Sequence, residues 1–231
     1  RLGKTSAVKL ALESLGQQSF SGLVLMTDAD ALISEGTIRR LHGWFSDPAI
    51  GAVGSRANRQ TELHGEKDYR SLYEMLRIAE SKRDSTPFLE GSCMMWRHGA
   101  FRTDDLLTES NADDAQIASL IRFGGLRSIF DKDASFIDFA PTTVEGQSRQ
   151  KVRRAQGLQN ILDRFPKQHK LPEKVYFCCI IFVSTWCVTS KREFLAAGKK
   201  RRAGQERSQN ERSQGAAGEN KKNIFEFIEL N

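Results

Sequence analysis

The chain of 231 residues carries 35 Lys and Arg against 29 Asp and Glu, a formal net charge of +6, with 39% hydrophobic residues. That apolar share excludes a chain disordered throughout, and the size suits one α/β domain with additional segments. The basic excess fits a polyanion, a phosphorylated small molecule or an acidic membrane surface without choosing among them, and the four cysteines, Cys93, Cys178, Cys179 and Cys187, contain no CxxC to signal a disulfide framework or a zinc site. No charged leader followed by an apolar run opens the chain, and the first residue is Arg1, so the sequence reads as a fragment.

In chain order, Thr5 to Leu15 has the apolar spacing of a helix, closed by Gly16. Gly22 to Thr27 is continuously apolar, the habit of a strand buried on both faces in a parallel sheet. A helix from Ser34, with Ile38, Leu41, Trp44 and Phe45 on one face, stops at Asp47-Pro48, and a strand follows over Ala49 to Ser55. Lys67 to Lys82 is amphipathic, with Tyr69, Leu72, Tyr73, Leu76 and Ala79 on one face, and Pro87 to Trp96 is a loop entering a short apolar strand. Asp113 to Phe123 is a helix ended by Gly124-Gly125, and Leu126 to Phe130 and Ser135 to Phe139 read as two short strands. Gln147 to Phe165 is a basic helix terminated by Pro166. The alternation of helix and strand predicts an open, mostly parallel α/β sheet. Three regions follow: a domain over 1–165, an apolar connecting or membrane-proximal segment over 166–190, and a basic low-complexity tail over 191–231, expected to be disordered. The apolar run Val175 to Val188 is shorter than the roughly 20 residues of a membrane-spanning helix.

Four stretches carry chemistry. Asp28 and Asp30, in LVLMTDAD, follow a buried strand; if the chain stays extended there, both carboxylates face one ligand and suit Mg²⁺ or Mn²⁺ bridging to a diphosphate. The alternative is a polar strand end leading to a Ser34 helix cap. Asp113 and Asp114 open a helix, where one can cap and the other act as a general base. Arg149, Lys151, Arg153 and Arg154 form a basic helical patch, read as a diphosphate clamp, a solvated face or an anchor to anionic lipid. Glu90-Gly91-Ser92 leads into Cys93, Met94, Met95 and Trp96, an apolar wall for a sugar ring or core packing. The four histidines have no metal-ligand spacing and are assigned no catalytic role.

The order of these stretches, GK near a helix, a strand plus DAD, EGS, ADD and QxxRR, resembles the family-two inverting glycosyltransferases of the GT-A fold. The nearest subgroup is the membrane-associated synthases related to cellulose and hyaluronan synthases, and the resemblance covers Arg1 to Phe165. It implies a Rossmann-like sheet flanked by helices, a nucleotide-diphospho-sugar donor, a sugar or lipid-linked acceptor, a divalent cation (Mg²⁺ or Mn²⁺) and transfer with inversion. On the matching positions, Asp114 is the general base, Asp30 the metal contact, and Lys4, Asp28, Asp30, Gln150, Arg153 and Arg154 bind the donor. Gly91, Ser92 and Asp113 fall on the acceptor side. The resemblance also implies a membrane partner and a place at the cytoplasmic face of the membrane for the full-length protein, and no nucleic-acid partner. Arg154 stands where the family has the Trp of QxxRW, which departs from the processive synthases, and the strands that recognise the nucleotide base precede Arg1, so the isolated chain is expected to be inactive.

Two other classes share some of these residues. GKT at Gly3 to Thr5 with the LVLMTD strand resembles the phosphate loop and second acidic motif of a P-loop nucleotide hydrolase. A non-enzymatic segment binding a polyanion or lipid through Gln147 to Arg164 and the tail needs no carboxylates at all.

Overall fold

The structure of the chain, a computed structural model, describes residues 3–60, 66–110, 112–139, 144–164 and 228–230. Helix α1 (Lys4–Gln17) buries Thr5, Val8 and Leu12 at helical spacing and leads into strand β1 (Leu23–Thr27). A two-residue strand β2 (Leu32–Ile33), helix α2 (Thr37–Gly43) with a 3-10 turn at Trp44–Ser46, and strand β3 (Ile50–Gln60) follow. Then come α3 (Glu66–Arg83), β4 (Cys93–Arg97), a 3-10 turn at Thr103–Asp105, α4 (Asp113–Phe123), β5 (Arg127–Phe139), α5 (Val144–Arg164) and β6 (Ile228–Leu230). The sheet order is β2-β5-β3-β4-β1-β6.

The helix-flanked, Rossmann-like α/β architecture is the expected one, with strand direction mixed rather than mostly parallel. β3 pairs parallel with β5, whereas β1 with β4, β3 with β4, β1 with β6 and β2 with β5 are antiparallel. Because β4 opposes both of its neighbours, β1, β3 and β5 still run the same way. The continuous apolar runs arise from burial on both faces: Val24 and Met26 of β1 with Met94 and Trp96 of β4 enter one core under α1 and α4, and Leu23, Leu25, Cys93 and Met95 enter the other beside Leu41 and Phe136. Such a run reports two covered faces and says nothing of direction.

The two strand candidates after Gly125 are one strand. β5 runs on through a bulge: Ser55 of β3 faces Asp131 and the next residue, Arg56, faces Ser135, leaving 132–134 unopposed. The polar DKDA segment is that bulge, and its carboxylates are pinned. Asp131 accepts from Arg40 Nε and Trp44 Nε1, both at 2.7 Å, and from the Asp133 backbone N–H at 2.9 Å.

The bulge matters for the site because the sheet must curl. From Thr27 to Leu32 the chain takes five steps, at most about 17 Å fully extended. It connects strands four spacings apart in the order, roughly 19 Å in a flat sheet. Only a curled sheet closes that gap, and the Asp28–Ala31 segment is drawn across its end. The 175–188 run and the 191–227 part of the tail lie outside the described residues, and among those described no helix is long and apolar enough to cross a membrane.

Burial alone would raise the Asp131 carboxyl, but the Trp44 indole, the Arg40 guanidinium and the Asp133 N–H outweigh it and hold it below the ordinary carboxylate value. A lowered folded-state value stabilises above the unfolded value and is lost as pH falls through the folded one. Asp131→Asn is expected to cost about 1 to 3 kcal/mol near pH 7 in urea unfolding. The gap to the wild type should narrow as pH falls through the lowered folded-state value and Asp131 takes up its proton.

Candidate active site

Four separated segments meet at the end of β1. The first is the start of α1: Gly3, at φ 86, turns the chain so that Lys4 becomes the first helical residue. Lys4 Nζ lies 2.7 Å from Asp28 Oδ1, at the end of β1, and 3.3 Å from Asp113 Oδ2, at the start of α4. The Lys4–Asp28 contact is also a hydrogen bond, whereas Asp113 Oδ2, buried, is held by charge and has no hydrogen-bond partner among the described residues. Thr5, next along α1, donates to the Ser110 carbonyl at 2.8 Å and ties α1 to the approach to α4.

The fourth segment is the tight turn before β4. The Cys93 N–H donates to the Glu90 carbonyl at 3.2 Å, which puts Gly91 and Ser92 at its tip. Ser92 Oγ donates to Asp28 Oδ2 at 2.7 Å, and the Gly91 N–H donates to Asp114 Oδ2 at 3.3 Å. Asp114 Oδ1 also accepts from the Ala115 N–H at 2.8 Å. Gly91 allows a close approach here: a Cβ would stand 3.2 Å from Asp114 Cβ and 3.3 Å from Oδ2, so Asp114 would have to give way by a few tenths of an ångström. Thr27 Oγ1 donates to the Ser92 carbonyl at 3.0 Å and fastens the turn to β1 from the other side.

The cluster therefore joins Lys4, Asp28, Gly91, Ser92, Asp113 and Asp114 into one unit. Ser92 and Asp113, expected on the acceptor side, touch Asp28 and Lys4, expected on the donor side, so the two groups adjoin. Neither Asp113 nor Asp114 caps α4 through its side chain; the cap position is Ala112, and both acids sit in the first turn, where the helix dipole favours negative charge. Three carboxylates around one ammonium leave a formal charge of −2. Burial lowers the Lys4 pKa, but the charges of Asp113 and Asp28, the hydrogen bond to Asp28 and the charge of Asp114 outweigh it and raise it above the ordinary lysine value.

Asp30 stands apart. The premise that Asp28 and Asp30 point the same way does not hold, because the chain leaves β1 in a turn, closed by the Ala31 N–H on the Asp28 carbonyl at 3.1 Å. Asp28 is directed inward to two partners, whereas Asp30 is exposed at the tip and makes no hydrogen bond or ion pair among the described residues. Nor do three acidic, His or Cys side chains converge there closely enough to hold a metal ion by themselves. The donor set fits a hard cation that takes one carboxylate from the protein and its remaining oxygens from phosphate and water.

The basic helix reaches the cluster through one close approach. A Cβ on Gly157 of α5 would stand 2.6 Å from Ala112 Cβ, so only glycine lets α5 lie against the start of α4, with Ala155 and Ile161 buried beside it. Gln150 is half-buried and Arg153 exposed about one to two turns earlier on this helix, while the side chain of Arg154 lies outside the described part. Sequence reasoning missed Thr5, Thr27 and the Arg77–Glu90 ion pair, and no spacing pattern marks any of them.

No family model matches the chain, and no curated protein matches it. Among solved structures it is similar to the mannosyltransferase PcManGT from Pyrobaculum calidifontis in complex with GDP-Man and Mn²⁺, at 26% identity and a TM-score of 0.63. The match covers 87% of this chain and 55% of that one, so the chain spans about half the length of its structural relative. The likeness shows a Rossmann-like α/β fold shared with that glycosyltransferase.

A raised Lys4 means that its ammonium persists above the ordinary range; its stabilisation is complete below the unfolded value and is lost only as pH rises through the folded one. With acetic anhydride at about pH 8, Lys4 is expected to acylate more slowly than the exposed Lys132, as read by peptide mass mapping. Asp28→Asn should speed it, and equal rates for the two lysines in the wild type would contradict this electrostatic account.

Proposed function

We propose that this chain carries the donor-side half of an inverting glycosyltransferase site, moving a sugar from a nucleotide-diphospho-sugar to an acceptor hydroxyl. The observation that carries the reading is that the Gly91-Ser92 turn holds both Asp28 and Asp114 while Lys4 holds Asp28, joining four segments that chain proximity alone does not bring together. The likeness to a structure holding GDP-Man and Mn²⁺ supports it and favours it over the nucleotide-hydrolase alternative.

In this reading Asp114 is the general base. Its carboxylate, oriented by two backbone N–H groups, takes the proton of the acceptor hydroxyl as that oxygen attacks the anomeric carbon from the face opposite the departing diphosphate. Inversion needs no covalent nucleophile. Asp28, braced by Lys4 and Ser92, lies on the donor side, and Asp30 holds Mg²⁺ or Mn²⁺ together with the donor phosphates. Such a cation would supply positive charge to the leaving diphosphate when bound; Arg153 and Arg154 of α5 add to that charge, and the neutral amide of Gln150 offers hydrogen bonds to the donor. Membership of family two, a sugar or lipid-linked acceptor and a place at the cytoplasmic face of a membrane belong to the same proposal and rest on the order of motifs.

The test uses the intact protein, with donor turnover and donor binding measured separately. Asp114→Asn is expected to lower kcat by roughly 10²- to 10⁴-fold while leaving donor affinity nearly unchanged. Asp30→Ala should weaken donor binding only when Mn²⁺ or Mg²⁺ is present. Near-normal turnover in Asp114→Asn overturns the reading, and donor binding by Asp30→Ala that matches the wild type with metal present overturns the role of Asp30.

A further inference from the structure

We propose that Arg77 is a positioning residue for this transfer, acting through Glu90 on the turn that holds Asp28 and Asp114; the inference rests on the sugar-transfer reading above. Arg77 lies on α3, a helix that packs against β5. Its Nη1 donates to Glu90 Oε1 at 2.7 Å, and the side chains of the pair are only 14% and 9% exposed. The guanidinium also lies over the Phe130 ring of β5, 5.8 Å from its centroid. Charged groups this far out of water are costly, and a buried pair is often no more stabilising than an apolar one of similar volume. Its place in the fold gives it a geometric role.

Glu90 is the first residue of the turn. Its neighbour Gly91 holds Asp114, and the next residue, Ser92, holds Asp28. Two adjacent residues thus grip the base and the donor-side carboxylate, so a single peptide link sets the spacing between them. There is little slack, because Gly91 already abuts Asp114 and Ser92 is tied to both Thr27 and Asp28. On the other side the approach to the turn is fastened to β5, where the Thr86 N–H donates to the Ser128 carbonyl at 2.8 Å. The Arg77–Glu90 pair fixes the remaining direction, the depth of the turn against α3 and β5. Releasing it lets Gly91 and Ser92 shift together, which misaligns base and donor without removing a group from either.

The experiment compares Arg77→Met, Arg77→Lys, Glu90→Gln and Asp114→Asn in the intact protein, each checked for folding by circular dichroism and thermal melting. Arg77→Met and Glu90→Gln are expected to lower kcat by about ten- to a hundredfold, the scale of a misplaced reacting group. Donor KM and affinity should stay within about threefold, and Arg77→Lys should recover part of kcat. If Arg77→Met does not fold, Glu90→Gln, which keeps size and shape, carries the test. Wild-type kcat in a folded Arg77→Met or Glu90→Gln overturns the positioning role. So does a loss that Arg77→Lys fails to relieve and that tracks the folded fraction. Wild-type turnover in Asp114→Asn instead removes the transfer reading beneath it, and so separates the two failures.

Discussion

The contact on which the site depends is the Lys4 ammonium set between Asp28 and Asp113. Two carboxylates about 4 Å apart repel by roughly 1 kcal/mol in a water-like medium and roughly 4 kcal/mol in a protein-like one. The end of β1 and the first turn of α4 bring Asp28, Asp113 and Asp114 into one neighbourhood, so without a cation the segments would be driven apart. Lys4 supplies that cation at the N-terminus of α1, the helix end where an ammonium is least welcome to the dipole. Its position there makes sense only through its partners. The contact fixes three things together: how α1 enters the domain, where β1 ends, and how deep α4 begins.

The rest of the cluster is arranged around the same constraint. Lys4 offers three donors, and one of them makes the hydrogen bond to Asp28, whose second oxygen is left for Ser92. The Gly91-Ser92 turn can therefore be small, because it must satisfy only one oxygen of each acid. A glycine at 91 allows the close approach to Asp114, and a glycine at 157 allows that of α5 to Ala112. Both are places where the backbone must come close to the acids' helix.

Much of this was legible in the sequence, for reasons particular to each element. α4 begins and ends where expected, at Asp113 and Phe123, because acidic residues at its start and Gly124-Gly125 at its end are strong local signals. β1 and β4 were legible as buried runs, but pairing direction is a property of neighbours and leaves no mark on the run itself. The DKDA segment has the composition of a turn, and whether three charged residues and an alanine reverse a chain or bulge a strand depends on what they meet, here Arg40 and Trp44. α3 was read from its apolar spacing, which placed Ala79 inward; Ala79 is exposed, and Arg77 is the side chain turned in. A charged residue bound to a distant acid cannot be told from a solvated one by spacing. The same holds for Lys4 and Asp28, 24 positions apart, whose meeting is a result of the fold.

The two aspartates of DAD show how environment divides alike groups. Residues two apart on a strand share a face only while the strand lasts, and β1 ends at Thr27, one residue before Asp28. The chain must turn there to cross the curled end of the sheet toward β2, so one acid is carried inward and the other outward. Asp28 has both oxygens engaged and a fixed direction, which suits orientation of a substrate group and leaves little room for a cation. Asp30 is exposed and has no hydrogen-bond or ion-pair partner among the described residues, so binding a cation there breaks no bond to them. The residual negative charge of the cluster beside it favours the approach of a dication without itself offering a complete set of ligands. If Asp30 holds a metal as proposed, such a site would have low affinity for the metal alone and higher affinity for a metal that arrives with phosphate oxygens, because the missing ligands would come with the donor.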